Sequence, residues 1–166
     1  MIQTRNISDA DLLAVKALWE TLCAKESQAP DDDALAYLVK HNKWAIAEND
    51  GKLCGFGYWH LDGNGNAHLR AAAVQTEASF LSLVLACASA SEKCVHGILK
   101  RNRPEKAWLA NIGAAMEPYG YAPMTPAEEA KFKKLAEKLA ARTPVIDRIT
   151  ISVSLIPAIK ARLEVL

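Results

Sequence analysis

The spacing of apolar and polar positions changes period several times along the chain, and each change predicts an element. Ile2 to Ile7 alternates briefly, as an opening strand does. Ser8 follows as an N-cap, with Asp9 and Asp11 near the positive end of the next helix. Leu12, Val15, Leu18, Trp19 and Leu22 fall at helical spacing and predict a helix ending near Lys25. Glu26 to Asp33, with Pro30 and a run of acids, reads as a loop and a second helix start. Leu35, Leu38 and Val39 form the apolar face of that helix.

The period then shortens. Lys43 to Glu48 reads as a strand, Asn49-Asp50-Gly51 as a hairpin turn that tolerates positive φ, and Lys52 to Leu61 as the returning strand. Asp62 to Asn66 is a second turn, and Ala67 to Val74 completes a three-stranded antiparallel meander. Glu77 to Lys93 reads as a helix capped by Thr76, with Phe80, Leu81, Leu83, Val84, Cys87 and Ala88 mostly buried. Val95 to Leu99 is the next strand. A helix of this length between two strands is a crossover, so Ala67 to Val74 and Val95 to Leu99 are expected to run parallel, side by side, at the sheet centre.

A helix follows from Pro104 to about Gly113, and a strand is expected at Tyr119 to Met124. Thr125 and Glu128 form a capping box with Pro126 at the first helical position, predicting a helix to Arg142 faced by Phe132, Leu135 and Leu139. Ile149, Ile151, Val153 and Leu155 alternate with polar residues, so Arg148 to Leu155 reads as a half-buried strand that completes the sheet or seals its edge. A short terminal helix follows from Pro157 to Leu166. Two elements of this size cannot bury both apolar faces alone. They are expected to dock on the main domain or on a second copy of the chain, as a homodimer.

Composition narrows the class. The 166 residues are 51% hydrophobic and 23% charged, with a net charge of +1, which fits one globular domain and gives no pull toward nucleic acid or anionic lipid. Lys100, Arg101 and Arg103 form a basic loop, which is usually only solvated. No apolar run is long enough for a transmembrane helix, and the polar N-terminus does not read as a secretory signal. Cys23, Cys54, Cys87 and Cys94 lack CxxC spacing and read as thiols in a reducing cytoplasm. Cys87, Cys94 and His96 can be drawn as a metal cluster; core thiols on a helix and the next strand are the preferred reading, with no metal.

The order strand, two helices, meander, helix, strand, helix, strand resembles the GNAT superfamily of N-acetyltransferases. The sharper signal lies at Asn102, Trp108 and Gly113, which match the family in type and spacing after the fifth strand, with Gly113 supplying a left-handed helix end. The run Trp108 to Ala114 also resembles the GNAT-like internal virion proteins of short-tailed phages. The fold expected is therefore α/β, with a mixed α+β sheet. Residues 1–124 form a GNAT-like domain and residues 125–166 a helix-strand extension packed on the same domain.

The resemblance implies acetyl-CoA as co-substrate, held by Val74, Gln75, Ala78, Ser79 and Asn102, and an amine of a small molecule or protein as acceptor. It also shows departures. Family members hold the pyrophosphate on a glycine-containing turn at a helix N-terminus, where backbone N–H groups and the dipole favour anions. Here that turn is Gln75-Thr76-Glu77-Ala78-Ser79-Phe80, with a carboxylate and a bulky ring. Leu109 stands where many family enzymes carry the tyrosine that protonates the leaving thiolate, so Tyr119 or Tyr121 must substitute if either does. Acetyl-CoA binding is expected to be weak or absent. The attacking ammonium needs a base; His68 is the candidate, with His60 across the turn as runner-up. Arg70, two residues on, is placed to bind an anionic substrate or is simply solvated. Two readings follow: a divergent acetyltransferase of the cytoplasm, or a catalytically degenerate module of a phage virion or accessory protein.

Overall fold

The structure, a computed structural model, describes residues 2–23, 28–100, 103–118, 126–127, 133 and 146–166. The described strands are β1 (Ile2–Arg5), β2 (Lys43–Asn49), β3 (Lys52–Leu61), β4 (Ala67–Val74), β5 (Cys94–Lys100), β6 (Ala115–Pro118) and β7 (Ile146–Ser152). They form one mixed sheet in the order β1-β2-β3-β4-β5-β7-β6. The helices are α1 (Leu12–Cys23), α2 (Asp32–His41), α3 (Glu77–Ser89), α4 (Glu105–Asn111) and α5 (Ile156–Leu163).

The sheet is covered on both faces because its strands carry apolar residues on both. Trp44, Ile46, Phe56 and Ala73 pack under Val15, Leu18 and Trp19 of α1 and Leu35 of α2. On the opposite face Ala45, Trp59, Ala67, Val95, Ile149 and Ile151 meet the apolar sides of α3, α4 and α5. The β2–β3 hairpin turns through Asp50 and Gly51, at φ 51° and 76°, as the Asp-Gly pair predicts.

β4 and β5 are parallel neighbours, joined by α3. Their pairing stops after two steps, Ala67 with Val95 and His68 with His96, so the C-terminal halves of the two strands separate. Just past this point the β3–β4 register skips Arg70: Trp59 faces Leu69 and Tyr58 faces Ala71. Arg70 is the extra residue of a β-bulge, which bends the strand and takes backbone groups out of the ladder.

Several sequence expectations are corrected. A single turn of 3₁₀ helix at Asp9–Asp11 precedes α1, whose expected end near Lys25 lies outside the described residues. α3 ends at Ser89 rather than Lys93, because the Glu92 N–H bonds the Gly65 carbonyl at 2.9 Å and draws the chain toward the β3–β4 turn. A strand, β6, already begins at Ala115, directly behind the left-handed Gly113 at φ 80°. The expected strand at Tyr119 to Met124 lies outside the described residues. Of the helix expected at Thr125 to Arg142, the described Pro126, Ala127 and Lys133 are helical. β7 ends at Ser152, not Leu155: the Ser152 hydroxyl accepts from Ser154 N, and Val153 N donates to Lys93 O at 2.9 Å, turning the chain into α5. Of the two expectations for β7, it completes the sheet, lying between β5 and β6, and does not seal its edge.

Candidate active site

The separation of β4 from β5 leaves a cavity of about 270 Å³ lined by Leu69 to Ala73 on one strand and Gly97 to Lys100 on the other. Phe80 and Glu105 reach it from α3 and α4. Phe80 is 5% exposed and meets Trp108 with ring centroids 5.8 Å apart. Glu105 is 4% exposed and holds Arg103 through two bonds of 2.9 and 3.2 Å. The sequence reading missed Glu105; its signal was the i, i+4 pairing with Leu109, which is fully buried on the same helix face.

One end of the gap is the turn into α3. Val74 is buried, Gln75 is exposed, Ala78 is half-buried and Ser79 is fully buried. Thr76 and Ser79 cap the helix reciprocally. The Thr76 N–H donates to Ser79 Oγ at 3.0 Å, and the Ser79 N–H donates to Thr76 Oγ1 at 3.2 Å. The Gln75 N–H donates to the Cys54 carbonyl at 3.1 Å. Three amides of the turn are thus committed inside the protein. Glu77 is bound in turn by Arg162 of α5, whose Nε and Nη2 donate to its carboxylate at 2.8 and 3.1 Å. The carboxylate expected to repel an anion is therefore neutralised by a residue 85 positions away. Asn102 and Tyr119 lie outside the described residues.

The other end is built by register. His60 on β3 pairs with His68 on β4, and His68 with His96 on β5. All three lie on the α1–α2 face, since their neighbours Trp59, Ala67 and Val95 enter the opposite core. Their rings form a row: His60 and His68 stack at 4.9 Å and 14°, and His68 and His96 tilt at 5.5 Å and 40°. Each ring has one nitrogen engaged. Arg70 Nε donates to His60 Nδ1 at 3.1 Å, His68 Nε2 lies 2.8 Å from Asp62 Oδ2, and Thr150 Oγ1 lies 3.3 Å from His96 Nδ1.

These bonds set protonation. The bond to His68, and then those to Asn66 and Asn64, hold Asp62 well below the usual carboxylate range. An ionised Asp62 accepts, so His68 donates from Nε2, and in the neutral ring the lone pair lies on Nδ1. Burial, then Arg70 and His68, push His60 below the ordinary histidine range. Neutral His60 accepts from Arg70, as the geometry requires. The arrangement of Asp62 behind His68 is that of an oriented general base. His68 and His96 line a second cavity, of about 570 Å³, which shares Leu69, Arg70, Gly97 and Ile98 with the gap. The two cavities thus adjoin at the point where the strands part.

Among the described residues no group of three or more His, Cys, Asp or Glu is arranged to hold a metal ion. Cys54 and Cys87 are buried and Cys23 and Cys94 half-buried, with no disulfide among the described residues. Among the described residues no helix is long and apolar enough to cross a membrane.

No family model matches the sequence. No curated protein matches it either. Solved structures do. An N-acetyltransferase from Staphylococcus aureus Mu50 is similar with a TM-score of 0.63 at 9% identity, covering 92% of this chain and 98% of that one. Salmonella typhimurium yncA, solved with acetyl-CoA as its cofactor, gives 0.62 at 11%, covering 92% and 94%. The Escherichia coli ribosomal-protein-S18-alanine N-acetyltransferase gives 0.60 at 11%, covering 92% and 94%. The parallel β4–β5 pair that parts after two residues, the crossover helix between them and this likeness over nine tenths of the chain agree: the protein has the GNAT acyl-CoA N-acyltransferase fold.

Proposed function

We propose that the chain is a divergent N-acyltransferase that moves an acyl group from a thioester in the β4–β5 gap to an amine held on the His68 side. The observation that carries this reading is the juxtaposition of the open gap with a carboxylate-oriented histidine at its closed end.

The residues fit one part of acetyl-CoA and not another. The gap, with the bulge at Arg70, suits an extended thioester arm beside β4. The turn into α3 suits a diphosphate poorly, because Gln75, Thr76 and Ser79 have committed their N–H groups within the protein. The thioester supplies an activated carbonyl carbon. His68 Nδ1 takes the proton that the ammonium must lose before its nitrogen can form the C–N bond, and Asp62 stabilises the imidazolium so formed. Leu109 has no proton to give the departing thiolate, which takes it from Tyr119, Tyr121 or water. Affinity for acetyl-CoA is accordingly weak, and its grip lies in the arm rather than the phosphates.

A second reading is a binding module that keeps the fold without catalysis, as a phage virion or accessory protein. The reciprocal Thr76–Ser79 cap and the buried Leu109 favour it. Two measurements separate the readings. Calorimetry with acetyl-CoA is expected to give a dissociation constant well above the low-micromolar range. Release of CoA thiol with a panel of primary amines is expected to exceed the no-enzyme rate and to vanish in His68→Ala. Absence of release with every amine would leave the binding module standing.

A further inference from the structure

The face of the sheet that carries the histidine row also carries two arginines that the acyl-transfer chemistry does not need. The cavity of about 570 Å³ is bounded by His68, Arg70, His96, Arg148 and Thr150, with Glu117 at its rim. Glu117 is matched by Arg148, 3.6 Å away, and Asp62 by His68. The lining holds two guanidiniums and one carboxylate, with the Asp62 carboxylate set behind His68.

The donors are also oriented. Arg70 is held through Nε by His60, which leaves the two terminal nitrogens of its guanidinium to serve the two cavities it lines. His96 meets Thr150 through Nδ1; an anion selects the form in which the threonine hydroxyl donates and His96 Nε2 carries a proton toward the ligand. A guanidinium and an imidazole N–H set beside a histidine lone pair make two different demands on one molecule. The first pair takes an anion, and the third takes the proton of an amine.

We propose that the acceptor is a small primary amine that also bears a carboxylate or phosphate, seated by Arg70 and His96 so that its nitrogen faces His68. The assignment rests on the acyl-transfer reading for its amine, while the anion site stands or falls separately. Arg148, already engaged by Glu117, contributes less than Arg70. A carboxylate and a phosphate share the chemistry that recognises them, charge-assisted bonds from a planar guanidinium.

The test uses the full chain with no acyl donor present, so that its outcome does not depend on catalysis. Histidine ring resonances are followed by nitrogen-edited NMR during titration with β-alanine, phosphoethanolamine, ethanolamine and 1,3-diaminopropane. The expected result is a saturable shift of the His68 and His96 rings with β-alanine, phosphoethanolamine or both, at an affinity about ten-fold or more above that for ethanolamine. The stronger of the two identifies the anion. Arg70→Gln is expected to weaken that binding about ten-fold, Arg70→Lys by less, and Arg148→Gln by less again. Arg70→Lys keeps the charge and serves as the folding control. Equal binding of ethanolamine, indifference to both arginine substitutions, or no saturable shift with any of the four amines would overturn the proposal, whatever the thiol-release assay shows.

Discussion

The two ends of the gap are built on opposite plans. At the α3 turn the donors bond one another: Thr76 and Ser79 exchange amides and hydroxyls, Gln75 N binds Cys54 O, and Glu77 binds Arg162. At the histidine row every ring has one nitrogen anchored and, among the described residues, one without a bond, and His68 and His96 line a cavity. A helix N-terminus is a ready anion site only while its N–H groups lack partners. Self-capping stabilises the helix and removes the site in the same step. The row has the reverse character, its rings being oriented by neighbours while His68 and His96 face a cavity. Under the proposed acyl transfer, the acceptor side holds oriented polar groups where the donor side has satisfied its own.

The largest effect is expected at the row. His68→Ala removes the base and should lower turnover about 10²- to 10³-fold at saturating amine. Asp62→Asn, which leaves the ring but disturbs its tautomer, should cost less. Thiol release measured for both variants checks the order. Turnover in His68→Ala within a factor of two of the parent would show that the row has no catalytic base and that the contrast between the ends is only structural. The next effect lies between the ends. Phe80 is nearly buried, packs on Trp108 and lines the gap. Phe80→Ala should cost about 3 kcal/mol of stability, read from urea unfolding, through lost transfer and the cavity left behind.

The contrast can also be reversed at the turn. Thr76→Gly with Ser79→Gly dissolves the reciprocal cap and returns two N–H groups to solvent. Acetyl-CoA binding, followed by calorimetry, should tighten about ten-fold, at a cost of about 1 kcal/mol of stability from the lost cap. Glu77→Gln leaves Arg162 without its carboxylate and should tighten binding further, for the opposite charge reason to the one the sequence suggests. Unchanged affinity in the triple variant would mean that the phosphates never approach this turn.

How much of this was legible depended on range. The bounds of β3 and β4, the Asp50-Gly51 turn and the parallel neighbours β4 and β5 were readable, because period, turn chemistry and crossover length are local or nearly so. β6 was not, since Ala115 to Pro118 shows no alternation and is a strand only through its pairing with β7. The place of β7 inside the sheet was likewise a matter of partners, not pattern. At the site, Thr76 was recognisable as a cap, but the reciprocal bond from Ser79, read as a cofactor-binding residue, was not. His60 and His68 could be paired across a five-residue turn. His96 joins them only through the parallel register, and Arg162 reaches Glu77 only through the docking of α5 on α3. The sequence therefore located the two ends of the gap, while their opposite characters came from contacts made after the chain had folded.

The smallest expected effect tests whether the row is held by neutral bonds. Burial, Arg70 and His68 all lower the His60 proton affinity, with the nearby Asp62 acting weakly the other way. The folded protein therefore binds that proton less readily than the unfolded chain, whose histidine titrates near its ordinary 6.5. The stability this group contributes is fully present above that value and is lost as pH falls through it toward the lower folded value. Asp62 has the same sign in a separate, more acid window, below its ordinary 3.8. Urea midpoints measured from pH 8 to pH 5 should fall for the parent chain and fall less for His60→Gln, whose amide oxygen still accepts from Arg70 and cannot take up a proton over that range. Because His60 is half-buried, solvent screens the effect and the difference in slope will be small. Parallel curves for the two proteins would mean that protonated His60 is tolerated. Arg70 would then have to be held by something other than this bond, and the row would lose the fixed guanidinium on which its contrast with the α3 turn depends.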